Sequence, residues 1–233
     1  MNSLRIGISQ SNYVPWLGYF ELISKCDVFV FLESVQYTKN DWRNRNIIRT
    51  NDRPHWLTVP VSTGNSMNLK LNNVKVSDAN WSQRHRKILQ TAYGKKLAQL
   101  NYGDLFEQIY NEELQELMKI SEINVYILKK LLSILRIDTR IVIYNEVDAL
   151  DKELRVLKIC QSLNANTYIT TEKGSSYINK ENFHNLGIDL EVIKFQKSID
   201  FLSRKESMKP STRFSILDSI SNYRVSEIIG VLS

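Results

Sequence analysis

Short apolar runs alternate with longer amphipathic stretches in the first part of the chain. Residues 4–9 and 28–32 are apolar and of strand length, and residues 16–23 between them carry apolar side chains at helical spacing. The run at 28–32 is continuous, which favours a strand covered on both faces. A strand, a crossover helix and a buried strand predict the beginning of an α/β domain with a mostly parallel sheet.

The middle of the chain interrupts this alternation, and the second half resumes it. Residues 47–50 and 56–61 predict a β-hairpin, and a helix is expected between Asn80 and Gly94. Further strands are expected at 139–144, 167–170 and 188–195, with helices between them and a loop at 196–212. We therefore expect one α/β domain over residues 1–233, a mostly parallel sheet flanked by helices, with a β-hairpin insertion and a possible helical subdomain at 78–136.

Composition narrows the class of protein without naming a function. Of 233 residues, 42% are hydrophobic and 24% are charged, which is ordinary for a globular chain. Cys26 and Cys160 lie in apolar runs, so two buried thiols in a reducing compartment are expected. No run of eighteen apolar residues is present, so we expect no membrane span and a cytoplasmic protein. The net charge of +6 indicates anionic partners.

Residues 36–46 mix aromatic, basic and amide side chains without an apolar period. Aromatic rings offer faces for a base or sugar, guanidinium groups grip phosphate with paired donors, and amides bind hydroxyls. This composition suits a nucleotide or a nucleotide-linked sugar. Packing of the tryptophan in the core, with surface ion pairs for the arginines, is the structural alternative. The candidate binding residues here are Gln36, Tyr37, Lys39, Trp42, Arg43, Asn44 and Arg45.

Two more loops follow predicted strands. Because carboxyl ends of parallel strands share one edge of a sheet, we expect these loops to line the same cleft as residues 36–46. Gly18 would permit close approach of the backbone to a phosphate at the start of a helix. The other candidates are Gln10, Asn12, Tyr13 and Trp16 in the first loop and Lys173, Ser175, Ser176 and Tyr177 in the second.

Two residues are candidate catalytic bases. His85 lies on a predicted helix among cations that would lower its pKa, and a general base must be neutral near pH 7. Glu33 ends the second apolar strand, where it would face a cleft. The three histidines lie in separate segments without metal-ligand spacing, so no metal is expected.

In order, these residues resemble the WbqC-like protein family of bacterial O-antigen and surface-polysaccharide gene clusters. The resemblance is carried by residues 10–20, 27–31, 35–46 and 56–61, by Trp81 and His85, and by residues 175–177 and 215–218. It implies a role in the assembly of surface glycans and carries over no catalytic residue.

The leading hypothesis is an enzyme, an N-acyltransferase or amide-forming ligase, that acylates or aminoacylates the amino group of a nucleotide-linked amino sugar. Its acyl donor is left open among an adenylate made from ATP plus an amino acid, an acyl thioester and an aminoacyl-tRNA, which would make tRNA a partner. Asn12, Asn44 or Ser176 would stabilise the oxyanion. The alternatives are a glycosyltransferase of the same pathway and a non-catalytic module that binds sugar nucleotides or nucleic acid.

Overall fold

The computed structural model describes residues 3–64, 68–146, 151–204 and 214–233. Its strands are β1 (Arg5–Ser9), β2 (Val28–Leu32), β3 (Arg45–Thr50), β4 (Arg53–Thr58), β5 (Val61–Ser62), β6 (Lys75–Val76), β7 (Arg140–Tyr144), β8 (Thr167–Thr171) and β9 (Asp189–Ile193). Its helices are α1 (Leu17–Ser24), α2 (Trp81–Gln99), α3 (Leu105–Ile109), α4 (Glu112–Glu116), α5 (Ile120–Ile134), α6 (Lys152–Ser162), α7 (Glu172–Ser175), α8 (Lys180–Asn185), α9 (Gln196–Ser203), α10 (Ile216–Asn222) and α11 (Val225–Leu232).

Five parallel strands form the central sheet in the order β7-β2-β1-β8-β9. The chain builds outward from β1 to β2 and β7, then crosses back to place β8 and β9 on the other side of β1. The direction in which successive strands are added to the sheet therefore reverses between β1 and β8, although all five strands are parallel. A β3–β4 hairpin and a small β5–β6 ladder lie outside the sheet. These findings confirm the predicted α/β class and the hairpin insertion.

Side chains that alternate along β2 bury its two faces in two different layers. Phe29 and Phe31 join the larger core with residues of α1 and α5, whereas Val28 and Val30 join a second core with residues of α6 and α8. This explains why the run at 28–32 is continuously apolar. Cys26 and Cys160 are buried free thiols, as expected, and burial raises the pKa of each to about 12.

Three local predictions are wrong. The predicted loop that contains Lys173 and Ser175 is partly helical, because Thr171 caps α7 by accepting a hydrogen bond from the Gly174 N–H at 3.1 Å. A loop was expected from residue 196, but α9 forms there because Phe201 is buried against the larger core and Leu202 packs on it. The remainder of that predicted loop, residues 205–212, lies outside the described residues. Helix α2 does not end at Gly94 but continues to Gln99, since Leu89, Tyr93 and Leu97 are all buried on one face.

No helix in the described part of the chain has the length and apolar character needed to cross a bilayer.

Candidate functional site

Two adjoining clefts lie at the carboxyl edge of the sheet, between β1 and β8, where the order in which strands are added reverses. This is the position at which open α/β sheets bind ligands, because the loops after the two strands turn to opposite faces and leave a crevice. Both clefts are lined by Ser9 at the end of β1, Thr171 at the end of β8, Leu22 and Lys173.

The first, which we call the basic cleft, has a volume of about 560 Å³. Among the described residues that line it, five are cationic and none is acidic. The cations come from four separate parts of the fold, namely the loop before β3, the segment before β6, the start of α6 and the segment after β8. They are Arg43, Lys70, Lys152, Arg155 and Lys173. Polar groups between them belong to Gln10, Gln36, Thr38, Thr170 and Thr171. Such a lining favours an anion with several charged oxygens.

Arg43 is held in place before any ligand arrives. Its Nε donates a hydrogen bond to Gln10 and its Nη1 donates one to Asn12, while Asp41 lies 3.8 Å from Nη2. Asn124 of α5 donates a hydrogen bond of 2.8 Å to the Arg43 carbonyl. Burial lowers the pKa of Arg43, a group that stays charged at neutral pH nonetheless. A fixed guanidinium can bind phosphate at a small entropic cost.

The second, the aromatic cleft, has a volume of about 450 Å³. Its lining includes Trp16, Tyr19, Trp42 and Phe195, and the Trp16 and Phe195 rings meet edge to face with centroids 5.2 Å apart. The charged residues of its lining are Glu172, Lys173 and Lys194. Rings at this spacing offer faces and edges on which a base or a sugar can stack. Since Lys173 lines both clefts, one ligand can place a ring in one cleft and phosphates in the other.

Arg43 and Arg45 point in different directions. The sequence predicts an extended segment at 41–46, which would place both side chains on one face. Instead residues 42–44 form a turn, and β3 begins only at Arg45. The Arg45 guanidinium lies 4.3 Å from the centre of the Trp56 ring, and the Trp42 and Trp56 rings are 5.7 Å apart. Trp42 is 39% exposed and Trp56 is 44% exposed, so Trp42 is not packed in the core.

The structure brings part of the sequence-predicted set together at the clefts. The members that line them are Gln10, Asn12, Trp16, Gln36, Trp42, Arg43, Lys173 and Tyr177. The remaining candidates are absent from the lining of both clefts among described residues. These are Tyr13, Gly18, Glu33, Tyr37, Lys39, Asn44, Arg45, His85, Ser175 and Ser176.

Several of the remaining candidates have structural partners. Asn44 accepts a hydrogen bond from the Tyr37 hydroxyl at 2.9 Å and donates to the Val59 carbonyl at 2.9 Å. A Cβ on Gly18 would lie 2.3 Å from the Trp16 indole, so this glycine makes room for a ring of the aromatic cleft. The Ser175 and Ser176 hydroxyls donate to carbonyls one helical turn back.

His85 is enclosed in a buried aromatic cluster. Its Nε2 lies 3.1 Å from the Thr58 carbonyl, which only accepts, so Nε2 carries the proton and Nδ1 accepts from the Tyr13 hydroxyl at 2.7 Å. Tyr110 donates to the Tyr13 oxygen at 2.6 Å. Burial lowers the pKa of His85 to about 4, with a smaller contribution from Arg84. The ring is neutral, mainly for a reason other than the predicted cations, and both its nitrogens are occupied.

Glu33 is 1% exposed and anchors the loop after β1. Its carboxylate accepts hydrogen bonds from the Ser11 backbone N–H at 2.8 Å and the Ser11 hydroxyl at 2.9 Å. Burial raises the pKa of Glu33 to about 7, although both Ser11 bonds and the charge of Arg43 oppose this shift. It borders a separate cavity on the α5 side of the sheet.

The loop after β1 also depends on the hairpin. Asn46, at the start of β3, donates hydrogen bonds from Nδ2 to the Tyr13 carbonyl at 3.1 Å and the Val14 carbonyl at 3.0 Å. Val14 has a φ of 37°, a left-handed conformation that β-branched residues rarely adopt. Asn46 therefore stabilises an unfavourable backbone conformation at Val14. This conformation in turn sets the positions of Asn12 and Trp16, two residues to either side.

Sequence reasoning missed several residues that line the clefts. Thr170 and Thr171 end β8, and the rule that ligands bind at carboxyl ends of strands would have found them. Lys152 and Arg155 are three residues apart on one face of α6, a weaker signal. Nothing in the sequence singles out Lys70 or Phe195. In the described part of the chain, no three His, Cys, Asp or Glu side chains are grouped as metal ligands.

Comparison with known proteins identifies the family. The chain is 31% identical over 219 residues to the uncharacterized protein Rv1507c of Mycobacterium tuberculosis (strain ATCC 25618 / H37Rv), and the match covers 94% of this chain and 93% of that protein. No solved structure matches the chain. The family model for the WbqC-like protein family matches residues 10–229, nearly the whole length. The chain therefore belongs to the WbqC-like protein family.

Proposed function

We propose that the basic and aromatic clefts together bind a nucleotide-linked amino sugar. We further propose that the protein is a transferase that acylates or aminoacylates the amino group of this sugar in the assembly of bacterial surface polysaccharide. One observation carries the binding proposal: the described lining of the basic cleft holds five cations and no carboxylate, directly beside a cleft lined by four aromatic rings.

The charge pattern favours a phosphorylated ligand over a neutral sugar. Charge-assisted hydrogen bonds to phosphate are about twice as strong as neutral ones, and a forked guanidinium can bind two oxygens at once. Arg43 can supply that fork, while Lys173 lies where the two clefts meet. A diphosphate in the basic cleft would therefore leave an attached ring within reach of Trp16 and Phe195.

The acyl-transfer step rests on the family resemblance and on the hydrogen-bond donors of the cleft. In such a step the amine forms a bond to the acyl carbon, the bond to the leaving group breaks, and the amine proton passes to that leaving group. Thr170, Thr171 and Lys173 offer donors to the oxyanion of the intermediate. The donor is an acyl adenylate, an acyl thioester or an aminoacyl-tRNA. Neither His85 nor Glu33 lines these clefts among described residues, so we assign neither the role of base.

Binding is tested by calorimetry with UDP-N-acetylglucosamine, UDP and uridine. We expect the two phosphorylated compounds to bind and uridine to bind at least tenfold more weakly. Arg43→Ala should reduce affinity for UDP at least tenfold, since a charge-assisted contact contributes about 1.5–3 kcal/mol. Arg45→Ala is the matched control, because its side chain stacks on Trp56 outside both clefts. Equal losses in the two variants would contradict the assignment.

Because Arg43 is largely buried, its truncation also risks a loss of stability. Arg43→Lys keeps the charge and removes the fork, so it should reduce affinity for UDP with a smaller loss of melting temperature than Arg43→Ala. Transfer is tested separately by mass spectrometry of a UDP-linked amino sugar incubated with the protein and acetyl-CoA, with ATP and amino acids, or with aminoacyl-tRNA. An unchanged amino sugar in every mixture, in a protein that binds UDP, would contradict the transfer proposal alone.

A further inference from the structure

A third cavity lies on the α5 side of the sheet, at the carboxyl ends of β2 and β7. Its volume is about 720 Å³, larger than either cleft, and within the described ranges it shares no lining residue with them. We call it the lateral cavity. Glu33 and Asn72 line it from the sheet edge, and Val125 and Tyr126 line it from α5. Nothing in the nucleotide-sugar proposal uses this space.

Two residues that line the sheet side of the lateral cavity carry buried hydrogen-bond acceptors. Each Glu33 carboxylate oxygen accepts one hydrogen bond from Ser11, and each has a second lone pair. The Asn72 Oδ1 is buried and has no hydrogen-bond partner in the described structure, while its Nδ2 approaches the Asn145 Oδ1 at 3.5 Å. A buried acceptor without a donor is costly and rare in native proteins. A ligand with several N–H donors would satisfy both groups.

The whole lining of the lateral cavity has three acidic side chains and three basic ones, namely Glu33, Glu113, Glu122, Lys119, Lys129 and Lys130. Lys119 lies 3.6 Å from Glu122, Glu113 accepts a hydrogen bond from the Tyr126 hydroxyl at 2.8 Å, and the Lys130 ammonium lies 5.3 Å above the Tyr126 ring. This differs from the basic cleft, whose described lining includes five cationic and no acidic side chains. The lateral cavity therefore does not select a polyanion.

An apolar wall completes the cavity. Leu117, Val125 and Ile143 line it, and Ile143 is 43% exposed although it belongs to a strand of the central sheet. An exposed isoleucine beside a cavity is covered when a ligand brings an apolar surface against it. The ligand that fits has a donor-rich end and a compact apolar body.

We propose that the lateral cavity binds a small molecule with a primary ammonium group, which donates to Glu33 and Asn72 while its body packs on Leu117, Val125 and Ile143. An aliphatic amino acid has both parts, and an amino sugar has the ammonium group together with an apolar C–H face on its ring. The geometry also connects the site to the basic cleft, because Glu33 holds Ser11 and the neighbouring Gln10 and Asn12 hold Arg43.

The test is calorimetry of the full chain with two matched pairs, glucosamine against N-acetylglucosamine and leucine against N-acetylleucine. We expect at least one amine to bind and its acetylated partner to bind at least tenfold more weakly. Binding of glucosamine alone assigns the site to amino sugars, and binding of leucine alone assigns it to amino acids. Equal binding of an amine and its acetylated partner, or binding of neither amine, overturns the proposal.

Variants locate the site. Glu33→Gln should weaken binding of the amine at least tenfold, and Asn72→Ala, which changes a less buried side chain, should weaken it as well if Glu33→Gln does not fold. Lys173→Met is the matched control, because Lys173 lines only the other two clefts, and it should leave amine binding unchanged while weakening UDP. Retained amine binding in folded Glu33→Gln and Asn72→Ala overturns the proposal. Because UDP is titrated separately, failure here is distinguishable from failure of the nucleotide-sugar site.

Discussion

Glu33 and His85 are both buried, and burial shifts their pKa values in opposite directions. The pKa of Glu33 rises from 4.5 to about 7, so between these values the folded state binds a proton that the unfolded state has lost. The unfolding free energy therefore falls as pH rises through this window. The pKa of His85 falls from 6.5 to about 4, so there the unfolded state binds the extra proton and stability rises with pH. The two effects offset each other between about pH 4.5 and 6.5.

We predict that Glu33→Gln removes the contribution of Glu33 to the pH dependence of the unfolding free energy, so that the opposite contribution of His85 can be measured. Relative to the wild type, its unfolding free energy should rise between pH 4.5 and 7 by up to about 3 kcal/mol, at about 1.4 kcal/mol per pH unit. Urea denaturation at several pH values measures the difference. Glu107→Gln is the control, because Glu107 is exposed on α3. If the difference between Glu33→Gln and the wild type does not change with pH, the Glu33 carboxyl has an ordinary pKa.

For single residues, the sequence predicted which residue types lie at the clefts better than it predicted where each side chain points. The segment 36–46 was singled out by its composition, and Gln36, Trp42 and Arg43 do line the clefts. Sequence reasoning placed Arg43 and Arg45 on one face of an extended segment and favoured Arg45. Instead a turn at 42–44 separates them, and the Arg43 carbonyl in that turn accepts a hydrogen bond from Asn124 of α5, 81 residues away. A single sequence does not show which helix will donate to a loop carbonyl.

At the scale of elements, α1 connects the fold to the aromatic cleft through one close approach. The Trp16 indole folds back over Gly18 and meets Phe195, which precedes α9. Gly18 thus determines where an aromatic wall of the cleft lies. The glycine was predicted to admit a phosphate, and the structure instead places a side chain against it.

Gly18→Ala should displace the Trp16 ring, because the added Cβ would lie 2.3 Å from it. Overpacking of this kind costs about 1–3 kcal/mol. We expect a lower melting temperature and altered tryptophan fluorescence. The matched control is Gly230→Ala in α11, where nothing lies within 4 Å of the new methyl and alanine should stabilise the helix by up to about 1 kcal/mol. If the melting temperature of Gly18→Ala is at least that of the wild type, the Trp16 ring can move aside without a loss of stability.

A helix or strand could be predicted where the local pattern of apolar residues matches the faces that are buried in the structure. Strand β2 was placed at its observed bounds, since five apolar residues in succession fit a strand with two covered faces. Helix α9 was missed because its sequence is mostly polar, and its formation depends on packing of Phe201 against Tyr223 near the end of the chain, with ring centroids 4.4 Å apart. Distant contacts of this kind are not visible in a local pattern.

For the whole molecule, the clefts join segments that are far apart in the chain. Gln10 and Arg43 come from its first quarter, whereas Lys152, Lys173 and Tyr177 come from its second half. A ligand that contacts both groups would link the part of the sheet that contains β1 to the part that contains β8. The rule on carboxyl ends of parallel strands placed three of these segments together from sequence, but α6 with Lys152 was not included in that set.

A ligand in these clefts should stabilise the entire fold. At a UDP-sugar concentration of 100 times Kd, the expected gain is about 2.7 kcal/mol, which raises the melting temperature of a chain of this size by about 5–10 °C. Thermal denaturation followed by circular dichroism measures the shift. Lys173→Met should lose most of it at the same ligand concentration. A shift of equal size with uridine would mean that the phosphates contribute nothing.

The left-handed Val14 has a consequence for the order of folding. A backbone that costs about 1–3 kcal/mol does not form from local preference, so the loop after β1 needs Asn46 in place before it reaches its native shape. Asn46 reaches that place only when the β3–β4 hairpin has paired and docked. We therefore expect Asn46→Ala to accelerate unfolding while the refolding rate hardly changes, as a chevron plot would show. On this view the loop after β1 is the last part of the protein to be assembled and the first to open.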